Sequence, residues 1–353
     1  MTKKIVHVVG TGTIGEPLIG LLCHFKEAFG IDEVTFHKRT PIRRERAKVE
    51  ACLRRGALLS TDPDVKADFE ALGHRVSMSH ADALERANVV IDCTPAGNAN
   101  KERYYKHLDG SKGFIAQGSE FGFGKMYARG INDESLVQGK DRYIHVVSCN
   151  THNLSRIVTT ITENKKGGID LVDGRFLLLR RANDISQDGS FLPSPEVGNH
   201  KDGHFGTHHA RDAWHLLNTL GHDAKLFSSA MKLNTQYMHS MHFNLQLARP
   251  FTLDEVKDRL RQNQWVAMTD RKSANSVFSF GRDHGFFGRI LNQTVIAEST
   301  LHLRNDRELA GFCFTPQDGN SLLSSLAATL WFLYPEGFQD RINAVAPFMF
   351  DEI

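Results

Sequence analysis

Three groups of residues in this chain are of the right type and spacing to do chemistry. The first is Val9-Gly10-Thr11-Gly12-Thr13-Ile14-Gly15, a Gly-x-Gly-x-x-Gly set close to the N-terminus. Gly10 permits a tight turn, Gly12 lets a pyrophosphate approach the backbone, and Gly15 allows a helix to pack closely on a strand. The phosphates would then rest on unpaired N–H groups at a helix N-terminus, where the dipole favours anions. A purely structural strand–helix turn is the weaker alternative, because the set opens an alternating strand–helix chain.

The second group decides which nucleotide fits. An NAD site usually carries Asp or Glu at the end of the second strand, about 20 residues on, for the ribose hydroxyls. Here that end reads His37-Lys38-Arg39-Thr40-Pro41, with no carboxylate. Lys38 and Arg39 are suited to neutralise a 2′-phosphate, so NADP is expected to be preferred and NAD accepted. The competing reading is a solvated basic helix face, since Lys38 to Arg55 holds eight Lys or Arg against Glu45 and Glu50.

The third group surrounds Cys149, in Ser148-Cys149-Asn150-Thr151, where a strand meets a helix. A thiol at a helix N-terminus faces unpaired N–H groups and a favourable dipole, so a lowered pKa is expected. Cys23, Cys52, Cys93 and Cys313 have no comparable setting and read as structural. A thiol in a nicotinamide protein suggests addition to an aldehyde, loss of hydride to the cofactor, and a thioacyl enzyme opened by a second nucleophile. Such chemistry needs a base and an anion site for the substrate.

The elements that must position these groups follow from periodicity. Ile5 to Val9, Glu33 to His37, Val89 to Cys93, Gly113 to Ala116 and Tyr143 to Ser148 read as strands, with helical spacing over Leu18 to Phe29 and a long charged helix after His37. Strands alternating with helices predict a parallel sheet covered on both faces. Beyond Cys149 a helix is expected over Asn153 to Lys165, then strands over Phe176 to Arg181 and Gln236 to Leu247. The last of these alternates, with Tyr237, His239, Met241, Phe243, Leu245 and Leu247 on one side, as an antiparallel sheet with one packed face requires. A Gly- and His-rich loop spans about Gln187 to His209, and Leu322, Leu326, Leu330 and Trp331 mark an apolar C-terminal helix.

Composition bounds the rest. The 353 residues suggest two domains, and 43 Lys plus Arg against 41 Asp plus Glu leave the whole too balanced for a dedicated polyanion binder. Neither Ile5 to Val9 nor Asn320 to Pro335 has the length of a signal-peptide core or a bilayer span. Five scattered cysteines without a Cys-x-x-Cys pair argue against disulfide scaffolds and zinc knuckles. A soluble cytoplasmic protein without membrane or nucleic-acid partners is expected. His200, His204, His208, His209 and His215 include i, i+4 pairs, but no Cys or carboxylate completes a tetrad, so no metal is expected.

Taken in order, the glycine loop, Asp92-Cys93-Thr94-Pro95-Ala96-Gly97, Gln117-Gly118-Ser119-Glu120, Val147-Ser148-Cys149-Asn150-Thr151, Arg180-Arg181-Ala182, Thr207-His208-His209, Met238-His239 and Gln317 resemble the archaeal-type (type II) phosphorylating glyceraldehyde-3-phosphate dehydrogenases along most of the chain. The resemblance implies a Rossmann dinucleotide-binding domain over 1–148, an α+β catalytic domain with a largely antiparallel sheet over 149–318, and a C-terminal helix over 319–353 packing back on the first domain. Cys149 would be the nucleophile and His239 the acid–base. Gly10, Gly12, Thr13, Ile14, Gly15, Lys38, Arg39, Thr94, Pro95, Gly118, Arg181 and Gln317 would bind the cofactor. Ser148, Asn150, Thr151, Arg180, Thr207, His208 and His209 would bind glyceraldehyde 3-phosphate and inorganic phosphate. A homotetramer is implied as well.

The chain also departs from that family. The family's Met-His-x-His becomes Met238-His239-Ser240-Met241-His242, so His242 falls on the opposite face and reaches the site only through a bulge. His152-Asn153 and Ala210-Arg211 replace Thr-Gly and Gly-Pro, and the Pro-Glu-Asn segment shortens to Gln317-Asp318-Gly319-Asn320. These changes bear on the substrate and the acyl acceptor. Two other functions therefore stay open: a related acyl-phosphate reductase such as an aspartate-semialdehyde enzyme, and a catalytically silent nucleotide sensor or nucleic-acid binder using the Lys38 to Arg55 face.

Overall fold

Short runs of buried apolar residues build the first sheet. Its strands are β1 (Ile5–Val9), β2 (Glu33–His37), β3 (Leu58–Thr61), β4 (Val76–Ser79), β5 (Val89–Asp92), β6 (Gly113–Gln117), β7 (Lys125–Tyr127) and β8 (Tyr143–Val146). The computed structural model describes residues 3–184, 189, 191–316 and 318–353. All five residues of β1 and all four of β5 are buried, as strands covered on both faces must be. The spatial order is β4-β3-β2-β1-β5-β6-β8-β7, and β1 pairs in parallel with both β2 and β5. This is the doubly wound Rossmann arrangement, whose connections reverse direction between β1 and β5. The reversal opens a crevice at the carboxyl ends of those two strands, beside Gly10 and Thr94.

The chain divides into two units. The first comprises Met1–Lys125, Leu136–Val146 and Leu322–Ala346; the second comprises Met126–Ser135, Val147–Ser321 and Pro347–Ile353. In the first unit, Gln117 Nε2 donates to Ser325 Oγ, and Tyr334 donates to the Gly30 carbonyl at 2.6 Å. These bonds seat the helix Gly319–Leu333, from Leu322 onward, and the turn after it on the parallel sheet's unit. No helix among the described residues is long and apolar enough to cross a membrane.

The second sheet contains β9 (Leu171–Arg180), β10 (Glu196–Val197), β11 (Leu226–Lys232), β12 (Ser240–Leu247), β13 (Val266–Thr269), β14 (Thr294–Arg304) and β15 (Glu308–Phe314). Its order is β10-β11-β9-β12-β15-β14-β13. Most neighbours are antiparallel, while β11 with β9 and β13 with β14 run parallel. Met241, Phe243, Leu245 and Leu247 of β12 point into a core shared with Leu154, Ile157 and Val158 of the helix Cys149–Thr162. Fully burying each such side chain contributes about 1.5–3 kcal/mol, so this packing fixes which end of the helix meets the sheet.

Several boundaries differ from the expectations. The helix predicted from Asn153 begins at Cys149, because Ser148 caps it, a signal that apolar periodicity does not contain. The strand predicted from Gln236 begins at Ser240. Gln236 is instead engaged by Asn183, and Tyr237 is exposed with its ring against Phe278. The strand predicted from Phe176 begins earlier, at Leu171, and β3 and β4 lie inside what reads as charged helix and loop.

Candidate active site

The crevice end of the first unit is built by its glycines. Gly10 has φ +93°, a conformation natural only to glycine, and its N–H donates to the His37 carbonyl at 3.0 Å. A Cβ on Gly15 would lie 2.1 Å from the Gly10 carbonyl oxygen, whereas one on Gly12 would meet nothing within 4 Å. So Gly15 is demanded by packing, and the space beside Gly12 is open to a ligand. The helix Gly15–His24 starts after Ile14 without any side-chain cap, and Thr13 and Ile14 form the half-buried tip of the loop. These are features a dinucleotide pyrophosphate fits.

Around this loop, Asp92 Oδ1 accepts from Thr94 N at 2.9 Å and from Thr94 Oγ1 at 2.6 Å, which shapes the turn carrying exposed Pro95. Asp92 Oδ2 accepts from Asn100 Nδ2 and Tyr105 OH, so the turn is anchored beneath the surface. Gly118 has φ +73°, and its carbonyl accepts from His145 Nε2 at 2.9 Å.

Lys38 differs from the expectation of a cation waiting for phosphate. It is buried, its ammonium is ion-paired with Glu45, and it lies 3.4 Å from Thr11 Oγ1. Arg39 is exposed. Glu45 also receives Lys48 at 3.5 Å. Burial pushes the Glu45 pKa up, but the Lys38 hydrogen bond and charge outweigh it and hold the carboxyl below its usual range. The carboxylate missing from the end of β2 is thus supplied by Glu45, in the turn Arg43–Glu45. Sequence reasoning counted Glu45 only as a counter-charge on a basic helix.

In the second unit, Cys149 is the first residue of its helix. Ser148 Oγ accepts from Thr151 N at 3.4 Å, and it lies 2.9 Å from Thr151 Oγ1 and 3.3 Å from His209 Nδ1. Asn320 Nδ2 donates to the Cys149 carbonyl at 2.9 Å, and Thr315 Oγ1 donates to Asn150 Oδ1 at 3.0 Å. The backbone carrying the thiol is therefore held on both sides.

The thiol itself corrects the expectation of a lowered pKa. The residue is half-buried, and its pKa is pushed up to about 12, first by burial and then by the Asp318 carboxylate. Arg181 and Arg180 pull the other way without prevailing. Burial also pushes Cys23 up to about 11, Cys52 and Cys313 up to about 12, and Cys93 well above 9.0. Position, rather than acidity, sets Cys149 apart.

His239 is buried just before β12, and its Nδ1 accepts from the Arg181 backbone N–H at 2.9 Å. Neutral His239 therefore carries its proton on Nε2. Burial, followed by the charges of Arg181 and Arg180, pushes its pKa down to about 3. His242 lies on the other face of β12, between Leu177 and Phe312 in register, with its ring 4.8 Å from that of Phe312. The only irregularity between β12 and β9 is at Gln246/Leu247, far from His242 along the strand.

His208 and His209 open the helix His208–Asn218, with ring centroids 3.9 Å apart. Burial and the Arg180 and Arg211 charges push His208 down to about 4. His209 is held well below 6.5 by burial, then by His208, Arg180 and His239. Thr207 Oγ1 lies 2.6 Å from Ser228 Oγ, and Thr151 is fully buried. Arg180, exposed at the end of β9, casts its charge on all three histidines and on Cys149. Arg181 is buried, with Nη2 donating to Asp184 at 3.1 Å and with Nε and Nη1 meeting no hydrogen-bond partner among the described residues.

Gln317, expected at the cofactor, lies outside the described residues. Asp318 beside it was not anticipated as a site residue, although the shortened segment pointed there. It is buried at φ +65°, 3.7 Å from Arg289, with a pKa raised to about 6 chiefly by burial. The unusual His152 donates from Nδ1 to the Ser148 carbonyl at 3.0 Å, and Arg211 pairs with Asp212 at 2.8 Å. His200 of the histidine loop meets Ser229 Oγ at 2.9 Å. Among the described residues no group of three His, Cys, Asp or Glu is placed to hold a metal ion.

No family model matches the chain. It is 28% identical to the glyceraldehyde-3-phosphate dehydrogenase of Pyrobaculum calidifontis over 292 residues, which is 79% of this chain and 78% of that protein. Proteins of the same name from Methanobacterium formicicum and Methanococcus maripaludis are 28% identical over 276 and 257 residues, covering 76% and 70% of this chain and 75% and 71% of theirs. With its fold and its ordered motifs, the chain is a divergent relative of the archaeal-type glyceraldehyde-3-phosphate dehydrogenases.

Proposed function

We propose that this protein is an NAD(P)-dependent phosphorylating glyceraldehyde-3-phosphate dehydrogenase that works through a thioacyl intermediate on Cys149. The observation that carries the reading is Cys149 at the first position of a capped helix, with Ser148 joined to His209 and Asn320 holding its carbonyl. The similarity to archaeal proteins of that name supplies the substrate class.

Gly10, Gly12, Gly15, Thr94, Pro95 and Gly118 would hold the nicotinamide dinucleotide, which accepts hydride when bound. Exposed Arg39 supports NADP, with NAD as a second cofactor, while Lys38 is held by Glu45. Arg180 supplies the positive charge of the anion site. His208 and His209 are neutral at pH 7, so they join it as hydrogen-bond donors with Ser148, Asn150, Thr151 and Thr207. His239, with Nδ1 occupied, offers an Nε2–H suited to a developing oxyanion. Its acid–base role is therefore on the donor side. A cytoplasmic homotetramer completes the reading.

The test is reduced-nicotinamide formation at 340 nm from glyceraldehyde 3-phosphate, with NADP and NAD in parallel, with and without phosphate, and with Cys149→Ser as control. The expected result is phosphate-dependent reduction that disappears in the variant. Reduction that ignores phosphate would make water the acyl acceptor. Folded, nucleotide-binding protein that leaves this aldehyde untouched would overturn the substrate assignment.

A further inference from the structure

Beneath the Cys149 turn, a chain of buried side chains links the end of β15 with the helix Cys149–Thr162. Asn150, Asn153 and Thr315 are all buried, the last two completely. Asn153 Nδ2 donates to Thr315 Oγ1 at 2.8 Å, and Thr315 Oγ1 donates to Asn150 Oδ1 at 3.0 Å. A carboxamide nitrogen can only donate, so the Thr315 oxygen accepts the first bond and its single hydrogen goes to the second. Asn153 is itself oriented from below. Its Oδ1 accepts from the Cys313 thiol at 3.5 Å, while its Nδ2 also lies 3.4 Å from that sulfur. Burial holds the Cys313 thiol protonated up to about 12, so it stays a donor. Direction therefore runs one way, from Cys313 through Asn153 and Thr315 to Asn150. With Oδ1 occupied, Asn150 is left with its NH2 group, which has no acceptor among the described residues. Thr315 makes one further bond: its backbone N–H donates to the His239 carbonyl at 3.0 Å.

We propose that Thr315 and Asn153 are positioning residues that fix the Asn150 carboxamide as a hydrogen-bond donor toward an oxygen of the bound aldehyde. The proposal rests on the thiol chemistry proposed above and deepens it, because Asn150 follows Cys149 in the first turn of the helix. The two ends of an asparagine amide have nearly the same shape, so packing alone does not choose which one faces a ligand. Turned the wrong way, Asn150 would set its own oxygen against the oxygen of the substrate, lone pair against lone pair. The relay removes that choice. Its members are dry, so each bond is stronger than it would be in water, and each polarises the next. The orientation is in place before the aldehyde arrives, and nothing has to reorganise as charge develops. The Thr315 backbone bond adds a second restraint, since it ties the residue that directs Asn150 to the carbonyl of His239.

Thr315→Val keeps the shape of the side chain and removes the hydroxyl. Its kcat/KM for glyceraldehyde 3-phosphate should fall about tenfold or more, with dinucleotide binding unchanged by fluorescence titration, and Thr315→Ser should restore it. Asn153→Leu keeps the hydroxyl but not the donor that directs it, so a smaller loss in the same sense is expected. In an Asn150→Ala background, itself impaired, neither substitution should cost anything further, because the group they orient is gone. A merely structural role would cost the same factor in both backgrounds. Such additive losses, or wild-type kcat/KM in Thr315→Val, overturn the proposal. If Thr315→Val does not fold, the Asn153→Leu cycle decides on the same terms. The relay is also read without turnover, from the NH2 resonances of Asn150 in protein labelled with 15N at asparagine and assigned by their loss in Asn150→Ala. Thr315→Val and Asn153→Leu should both shift them, and unshifted resonances overturn the relay. A wild type that oxidises no aldehyde would instead sink the enzyme reading, and the donor role with it, while the shifted resonances would still show Asn150 held through Thr315.

Discussion

Glu45 holds Lys38 in an ion pair at the glycine loop, with the lysine 3.4 Å from Thr11 Oγ1. The pair turns what reads as a free cation at the end of β2 into a neutralised one beside a carboxylate acceptor.

Replacing Glu45 by Gln should therefore release Lys38 toward a 2′-phosphate. The expected result is a gain of about tenfold in NADP affinity relative to NAD, roughly 1.4 kcal/mol, seen by fluorescence titration and with 2′,5′-ADP against 5′-AMP. An unchanged ratio would show that Arg39 or the backbone sets the preference.

The glycine loop predicts two unlike alanine variants. Gly15→Ala places a Cβ 2.1 Å from the Gly10 carbonyl and should cost about 1–3 kcal/mol through overpacking, visible as a lower melting temperature. Gly12→Ala meets no protein atom, so its melting temperature should stay near wild type while dinucleotide binding weakens. Equal binding by Gly12→Ala and wild type would remove the pyrophosphate from this loop.

His239 permits a similar separation. His239→Asn can still accept the Arg181 N–H but lacks the Nε2–H donor, so it should fold normally and lose about 100-fold in turnover. His239→Ala leaves a buried N–H unpaired and should also lose about 1–3 kcal/mol of stability. Full activity in His239→Asn would take the donor role away from this residue.

Buried neutral histidines make the fold acid-sensitive. Burial, then neighbouring charge, lowers His37 and His239 to about 3 and puts His7 and His209 below 6.5, while burial lowers His80 against the opposing Asp62 and Asp92 carboxylates. The unfolded chain takes up protons at 6.5 while the folded chain refuses them, so stability is fully present above about 6.5 and is lost as pH falls toward the folded values. His37 and His80 stack at 3.8 Å, with His7 at 5.5 Å from His80. Urea midpoints should decline from pH 7 to pH 4, and less steeply in His80→Phe. A flat profile would contradict these buried neutral rings.

The features legible in the chain alone are local. The runs Ile5 to Val9 and Glu33 to His37, the glycine spacing, and the alternation of Met241, Phe243, Leu245 and Leu247 each follow from side-chain period or backbone permissiveness, and the strands match residue for residue in the first two. The Cys149 turn was legible because a strand end, a serine and a helix start adjoin in the chain. Strands β3 and β4 were not, since short half-polar strands lack a distinguishing period. The state of the charges follows from long-range packing. Whether Lys38 is free depends on Glu45 folding back onto it, and the acidity of Cys149 depends on a carboxylate 169 positions away (318 − 149). Burial and long-range charge set a group's pKa, and neither is written in the spacing of residues along a chain.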